Sequence, residues 1–287
     1  MMQTVKTAKA IFTAVVAEKN RGLKVGFVPT MGALHEGHCA LLRRARREND
    51  RLVISCYVNA AQFDSCEDAV AYPREFEEDR ELAAAEGVDY FFQPADSEIY
   101  PPGDATEIIH SSPITRSYEG AIRPNFFDGV TTVVGKLLNL IPAQTVYFGQ
   151  KDLQQYIVIK RMVRQLHWPH EIIPVAVCRD EQGIAYSSRN KKLTESGWQI
   201  AAGVRRVISE LKQAAGELSR LQLFKRYVPQ LEALGFKLQY LDVVSYPDYV
   251  PAWPADREAV LIVAGYAGEV RLKDNLPLHV ENIGELE

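Results

Sequence analysis

Apolar and polar positions along this chain fall into two regimes. Up to about residue 178, short apolar runs are separated by amphipathic stretches. The runs at 23–28, 52–58, 88–93, 145–148 and 172–177 read as strands. Between and before them, residues 7–20, 38–49, 67–86 (with a break near Pro73), 128–140 and 152–166 carry helical spacing. The strand-like runs lack clean in–out alternation, as strands of a parallel sheet buried on both faces do. Alternating strand and helix then predicts a doubly wound α/β domain over residues 1–178. Residues 179–287 read differently: two helices at 194–215 and 218–234, then strands at 238–244, 259–267 and 269–273, with a proline-rich loop at 247–254. This second unit is a smaller α+β domain.

Composition narrows the field by exclusion. The chain has 287 residues, 47% hydrophobic and 24% charged, with a net charge of −4. That is a globular balance with no polyanion partner implied. Arg43, Arg44, Arg46, Arg47 and Arg51 cluster, but acids are interleaved and a solvated helix face is the expectation. Four scattered cysteines fit a reducing compartment. No apolar run reaches membrane-spanning length, and residues 1–9 carry no secretory core. A cytoplasmic protein with neither nucleic acid nor membrane as partner is expected.

The chemistry concentrates at the end of the first long strand, in Pro29-Thr30-Met31-Gly32-Ala33-Leu34-His35-Glu36-Gly37-His38. A strand, a glycine turn and a helix start form a natural anion corner. Gly32 and Gly37 have P-loop spacing, but His38 and Cys39 stand where Lys and Ser or Thr are needed. Glu36 and His38 break the zincin pattern by one residue, and no cysteine pair has zinc spacing. The remaining reading is a His-x-Gly-His nucleotide turn, whose histidines stabilise charge developing on phosphates.

Other polar groups follow strands, where ligands of such sheets bind. Asn59 and Gln62 follow the second run. Gly149, Gln150, Lys151, Asp152, Gln154 and Gln155 follow the run at 145–148. Lys151 at a helix start opposes the helix dipole, a conflict that an anionic ligand would resolve. Ser187-Ser188-Arg189-Asn190 offers two hydroxyls and a guanidinium, a fair phosphate clamp.

With these motifs together, the chain resembles the pantothenate synthetase (pantoate–β-alanine ligase) family. The 29–38 block, Tyr72-Pro73-Arg74, Arg123-Pro124, Phe127, Gly129-Val130, Lys151-Asp152, Gln154-Gln155 and Ser187 to Asn190 stand in that family's order. The resemblance implies a Rossmann-like sheet of the HIGH-type nucleotidyltransferase superfamily, with the second domain as a lid. It implies ATP as co-substrate, Mg2+, a homodimer, and an amide ligase passing through an acyl adenylate. His35 and His38 would contact the ATP phosphates, and Met31, Gly149 and Cys178 would lie near the nucleotide. Asp152 would hold the ribose. Lys151, Ser187, Ser188 and Arg189 would bind phosphates. Pro29, Gln62, Gln155, Asn59 and Arg123 would serve pantoate and the amine, and Asp79 would give weak help to magnesium.

The chain departs from the family pattern at Ala60 and Ala61, where Asn59 is usually followed by proline. Gln150 replaces a usual Glu, and Phe126 replaces a usual His. Cys178 and Tyr186 stand where Val and Met are usual. The departures at 60–61 and 126 gather near the expected acid and amine pocket, which keeps open a paralogous ligase using a different acid or amine.

Overall fold

The computed structural model describes residues 1–280 and residue 284. The chain forms two compact units, Met1–Gly149 with Gln154–Val175, and Gln150–Leu153 with Ala176–Glu287. In the first lie β1 (Gln3–Val5), α1 (Ala8–Asn20), β2 (Val25–Thr30), α2 (Glu36–Glu48) and β3 (Arg51–Cys56). After them come α3 (Cys66–Val70), α4 (Phe76–Ala85), β4 (Tyr90–Phe92), α5 (Asp96–Ile99) and α6 (Glu119–Ile122). The unit closes with α7 (Phe126–Leu140), β5 (Thr145–Gly149), α8 (Leu153–Gln165) and β6 (Glu171–Val175).

The six strands are parallel in the order β1-β4-β3-β2-β5-β6. Phe27, Leu52, Ile54, Phe91, Phe92 and Tyr147 are fully buried in its layers. Each such side chain contributes about 1.5–3 kcal/mol by leaving water. The chain leaves β2 toward β3 on one side and later returns to β5 on the other. Strand order therefore reverses between β2 and β5, the switch point where open α/β sheets bind ligands at their carboxyl ends. The expected doubly wound sheet is present, with one addition. The edge strand β1 has only three residues, too few to show a period.

Buried Asn49 fixes α2 over this switch point. Its Nδ2 donates to the Ala45 carbonyl (2.8 Å) and to the Tyr147 hydroxyl (2.7 Å), while Oδ1 accepts from Thr145 Oγ1 (2.8 Å). Among the described residues, three of the four arginines of α2 are ion-paired: Arg43 with Glu36 and Glu86, Arg44 with Glu48, and half-buried Arg46 with Asp89. Arg43, Arg44 and Arg47 form the expected solvated helix face, while Arg51 lies on β3, half-buried between Glu18 and Asp89.

The second unit contains α9 (Glu195–Ala214), α10 (Arg220–Ala233) and the antiparallel sheet β7 (Phe236–Ser245), β8 (Ala259–Ala267), β9 (Val270–Pro277). Thr194 caps α9 and a Ser219–Gln222 capping box starts α10. Val207, Leu211, Leu223 and Leu231 of the helices pack with Phe236, Val243, Leu261 and Val263 of the sheet. The last strand runs four residues past its expected end at Lys273. Among the described residues no helix is long and apolar enough to cross a membrane.

Candidate active site

In the first unit the turn after β2 is built by a residue far away in sequence. Gly32 and Ala33 take positive φ angles of 82° and 51°, a region costly for a residue with a Cβ. The carboxylate of Asp79, buried in α4, holds that conformation. Its Oδ2 accepts the Ala33 N–H (2.9 Å) and its Oδ1 accepts the Leu34 N–H (2.6 Å). A Cβ at position 32 would stand 2.8 Å from Asp79 Oδ2, so glycine is required there by both space and conformation. Asp79 is thus a structural clamp. Both of its oxygens accept backbone N–H groups of the turn.

The turn delivers His35 to the N-cap of α2. His35 Nδ1 accepts the Gly37 N–H (3.1 Å), and His38 Nδ1 accepts the His35 N–H (3.3 Å). This reciprocal capping box sets the two rings at 4.1 Å between centroids. It also fixes their chemistry. With each Nδ1 accepting, the proton of each neutral ring sits on Nε2, so both histidines present N–H donors. They do so at the positive end of a helix of 13 residues.

Beside the turn lie the residues expected to serve the acid. Pro29 is the half-buried penultimate residue of β2. Gln62 Nε2 lies 3.1 Å from Met31 Sδ. Asn59, 1% exposed, donates from Nδ2 to Gln62 Oε1 and to the Gly129 carbonyl, each at 3.1 Å. Arg123 donates to the Gln62 carbonyl (2.9 Å) and to Asp64 (2.7 Å), and its guanidinium lies 4.2 Å over the Phe126 ring. A Cβ on Gly129 would come within 2.4 Å of the Ala61 carbonyl oxygen, so this loop rests directly on α7 backbone. The structure therefore brings Met31, Asn59, Gln62 and Arg123 into one network. Gly149 ends β5 and half-buried Gln155 lies in the first turn of α8, neither joined to that network by a hydrogen bond. Neighbouring Gln154 is structural: buried, it donates to the Ile114 and Ser117 carbonyls (2.6 and 2.8 Å) and accepts from Glu119 N–H (3.2 Å).

The second unit carries a basic cluster. Lys273 Nζ lies 2.6 Å from Asp152 Oδ1, and Lys151 Nζ lies 4.0 Å from the same oxygen. Asn275 Nδ2 donates to the Gln150 and Lys151 carbonyls (2.8 and 3.0 Å), tying this turn to β9. Lys151, Ser187, Arg189 and Lys273 line one cavity. Ser187 Oγ accepts the Arg189 N–H (3.3 Å) and starts the short turn holding Ser188. Half-buried Cys178 accepts the Tyr186 N–H at its carbonyl (3.1 Å).

Burial pushes the Lys151 ammonium below its ordinary value; Asp152 opposes the shift, while Lys273 and Arg189 add to it. Burial works to raise the Asp152 carboxyl, but Lys273, Lys151 and Arg189 outweigh it and hold it well below the usual range. Three cations around one carboxylate leave a net positive field that an anion would neutralise. Lys273 and Asn275 escape a reading of the sequence because they sit more than a hundred positions from Lys151 in an ordinary strand.

Comparison with known proteins gives a consistent set of relatives. The family model described as pantoate-beta-alanine ligase matches residues 1–277. A pantothenate synthetase from Moorella thermoacetica is 43% identical, covering 98% of this chain and 100% of that protein. The crystal structure of pantothenate synthetase from Thermus thermophilus superposes with a TM-score of 0.91 at 41% identity, covering 97% of this chain and 100% of that one. A pantoate-beta-alanine ligase from Francisella tularensis, complexed with beta-gamma ATP and beta-alanine, has a TM-score of 0.85 at 31% identity, covering 98% and 99%.

Proposed function

The chain belongs to the pantoate–β-alanine ligase family, and from that premise we propose how its residues run the reaction. It condenses (R)-pantoate with β-alanine in two steps at the expense of ATP. A pantoate carboxylate oxygen attacks the α-phosphorus, the bond to the β,γ-phosphates breaks, and pyrophosphate leaves. The β-alanine amine then attacks the acyl carbon of pantoyl adenylate, the bond to AMP breaks, and the amide forms with loss of a proton.

The observation that carries this reading is the paired-histidine helix cap. Carboxylate attack on a phosphate brings anion to anion, so catalysis needs donors aimed at growing negative charge. His35 and His38 supply Nε2–H donors, held by backbone bonds at a helix N-terminus. Lys151, Ser187, Ser188 and Arg189 bind phosphate oxygens, the cluster's excess positive charge supporting that role. Asp152 takes the ribose hydroxyls, and Met31, Gly149 and Cys178 border the nucleotide. Gln62 and Gln155 hydrogen-bond pantoate, with Pro29 behind it and Arg123 toward the amine. No side-chain nucleophile is needed, because adenylation itself creates the leaving group.

Magnesium would come with ATP, on its phosphate oxygens, where it would offset phosphate charge, in keeping with the ion's preference for oxygen ligands. The enzyme works in the cytoplasm as a homodimer, a state that light scattering of the purified protein measures. Pantoate labelled with 18O in its carboxylate tests the route. One label is expected in AMP and the other in the amide carbonyl. Label in inorganic phosphate, with none in AMP, would overturn the adenylate.

A further inference from the structure

The reading above makes Gln62 a pantoate ligand, and on that basis its surroundings specify more. A side-chain amide can face either way, with its carbonyl or its NH2 toward the substrate. Here the direction is settled by a chain of partners. The Gly129 carbonyl can only accept, so the Asn59 atom 3.1 Å from it is Nδ2. Asn59 Oδ1 therefore faces the Tyr100 hydroxyl, which donates to it at 2.9 Å. The second hydrogen of Asn59 Nδ2 then requires an acceptor on Gln62, which is Oε1 at 3.1 Å. Gln62 Nε2 is left beside the thioether of Met31, a weak acceptor. A donor held against so poor a partner marks where a better acceptor belongs.

We propose that Tyr100 and Asn59 are positioning residues: they lock Gln62 with its NH2 toward the substrate acid, so that Gln62 reads a hydrogen-bond acceptor on that acid. Asn59 itself does not touch substrate. It is 1% exposed, and its Oδ1 and both Nδ2 hydrogens are engaged. Tyr100 is held in turn by Lys136, whose ammonium lies 4.9 Å from the ring centre and pairs with Asp104. Burial, with help from Asp104, pushes the Tyr100 phenol up to about 12, so it remains a donor at neutral pH.

A double-mutant cycle on the full-length enzyme tests the relay, read as KM for pantoate and KM for ATP separately. Tyr100→Phe is expected to raise the pantoate KM roughly 3- to 10-fold, the range of one neutral hydrogen bond, with the ATP KM unchanged. Asn59→Asp reverses the polarity at Gln62 and is expected to raise it further. In a Gln62→Ala background, Tyr100→Phe should add nothing, because the group it positions is gone. Full additivity of the two changes would overturn the relay, as would an unchanged pantoate KM in Tyr100→Phe. Unchanged thermal midpoints and ATP KM in the variants exclude a general folding defect. If the wild type adenylates an acid other than pantoate, the pantoate reading fails, and the cycle run with that acid still decides the relay.

Discussion

In the turn after β2, the donors offered to an anion are neutral, and each is held by a partner within the fold. Around Lys151 in the other unit, the donors are ammonium and guanidinium groups, with Asp152 in their midst to offset part of their charge. The first arrangement is held by the fold's own hydrogen bonds: Asp79 accepts two amides of the turn, and the two histidines cap one another. The second carries electrostatic stress that burial makes worse. Preorganised dipoles suit charge that develops during reaction, since they need no reorganisation at that moment. Stressed charges suit binding of a polyanion that arrives already charged. Substitutions in the two places should therefore fail in different ways.

The largest effect belongs to the turn. His38→Ala is expected to lower kcat by at least about 10²-fold, while ATP binding changes less; near-normal turnover in a steady-state assay would break the comparison. Next is Asp79→Ala, which strips two backbone amides of their acceptor in a backbone already strained at Ala33. It should cost on the order of 3 kcal/mol in urea unfolding, from the penalty for orphaned buried donors. Asp79→Asn keeps a carbonyl acceptor and should leave the magnesium dependence of turnover unchanged. A shifted magnesium requirement would give Asp79 the metal-assisting role that the family resemblance implies.

Lys151→Met should show the opposite trade. The folded pKa of Lys151 lies below its unfolded value, so the protonated form costs stability below the folded pKa. That cost fades as pH rises through the folded pKa toward the unfolded one. The variant should thus have a higher thermal midpoint than wild type at neutral pH without ligand, and a flatter alkaline limb. It should also lose most of the added stability that ATP gives the wild type. The smallest effect is on the acid limb. Asp152 has a depressed folded pKa, so its contribution is present above the unfolded carboxylate value and lost as pH falls through the folded one. Lys273→Met should move that loss slightly upward in pH, in a thermal-melt series below about pH 4.

The same contrast explains what the sequence revealed. The Pro29-to-His38 turn was legible because strand, glycines and histidines are contiguous and local rules govern them. Asn59, Gln62 and Lys151 were legible as polar residues just after apolar runs. Asp79's clamp was not, since it lies 46 and 45 positions from the amides it accepts and looks like one acid among several in α4. Lys273 and Asn275 were hidden in β9 for the same reason, and β1 was too short to show a period. Asn59 was found, with a role toward pantoate and the amine implied by the family resemblance; its hydrogen bonds to Gln62 and the Gly129 carbonyl were not legible.

The central claim, that this chain activates pantoate by adenylation before the amine takes part, is tested most directly by ATP–pyrophosphate exchange. With pantoate and MgATP but no β-alanine, labelled pyrophosphate should enter ATP, and adding β-alanine should release AMP with amide. Exchange absent with pantoate yet present with another carboxylate would contradict the account.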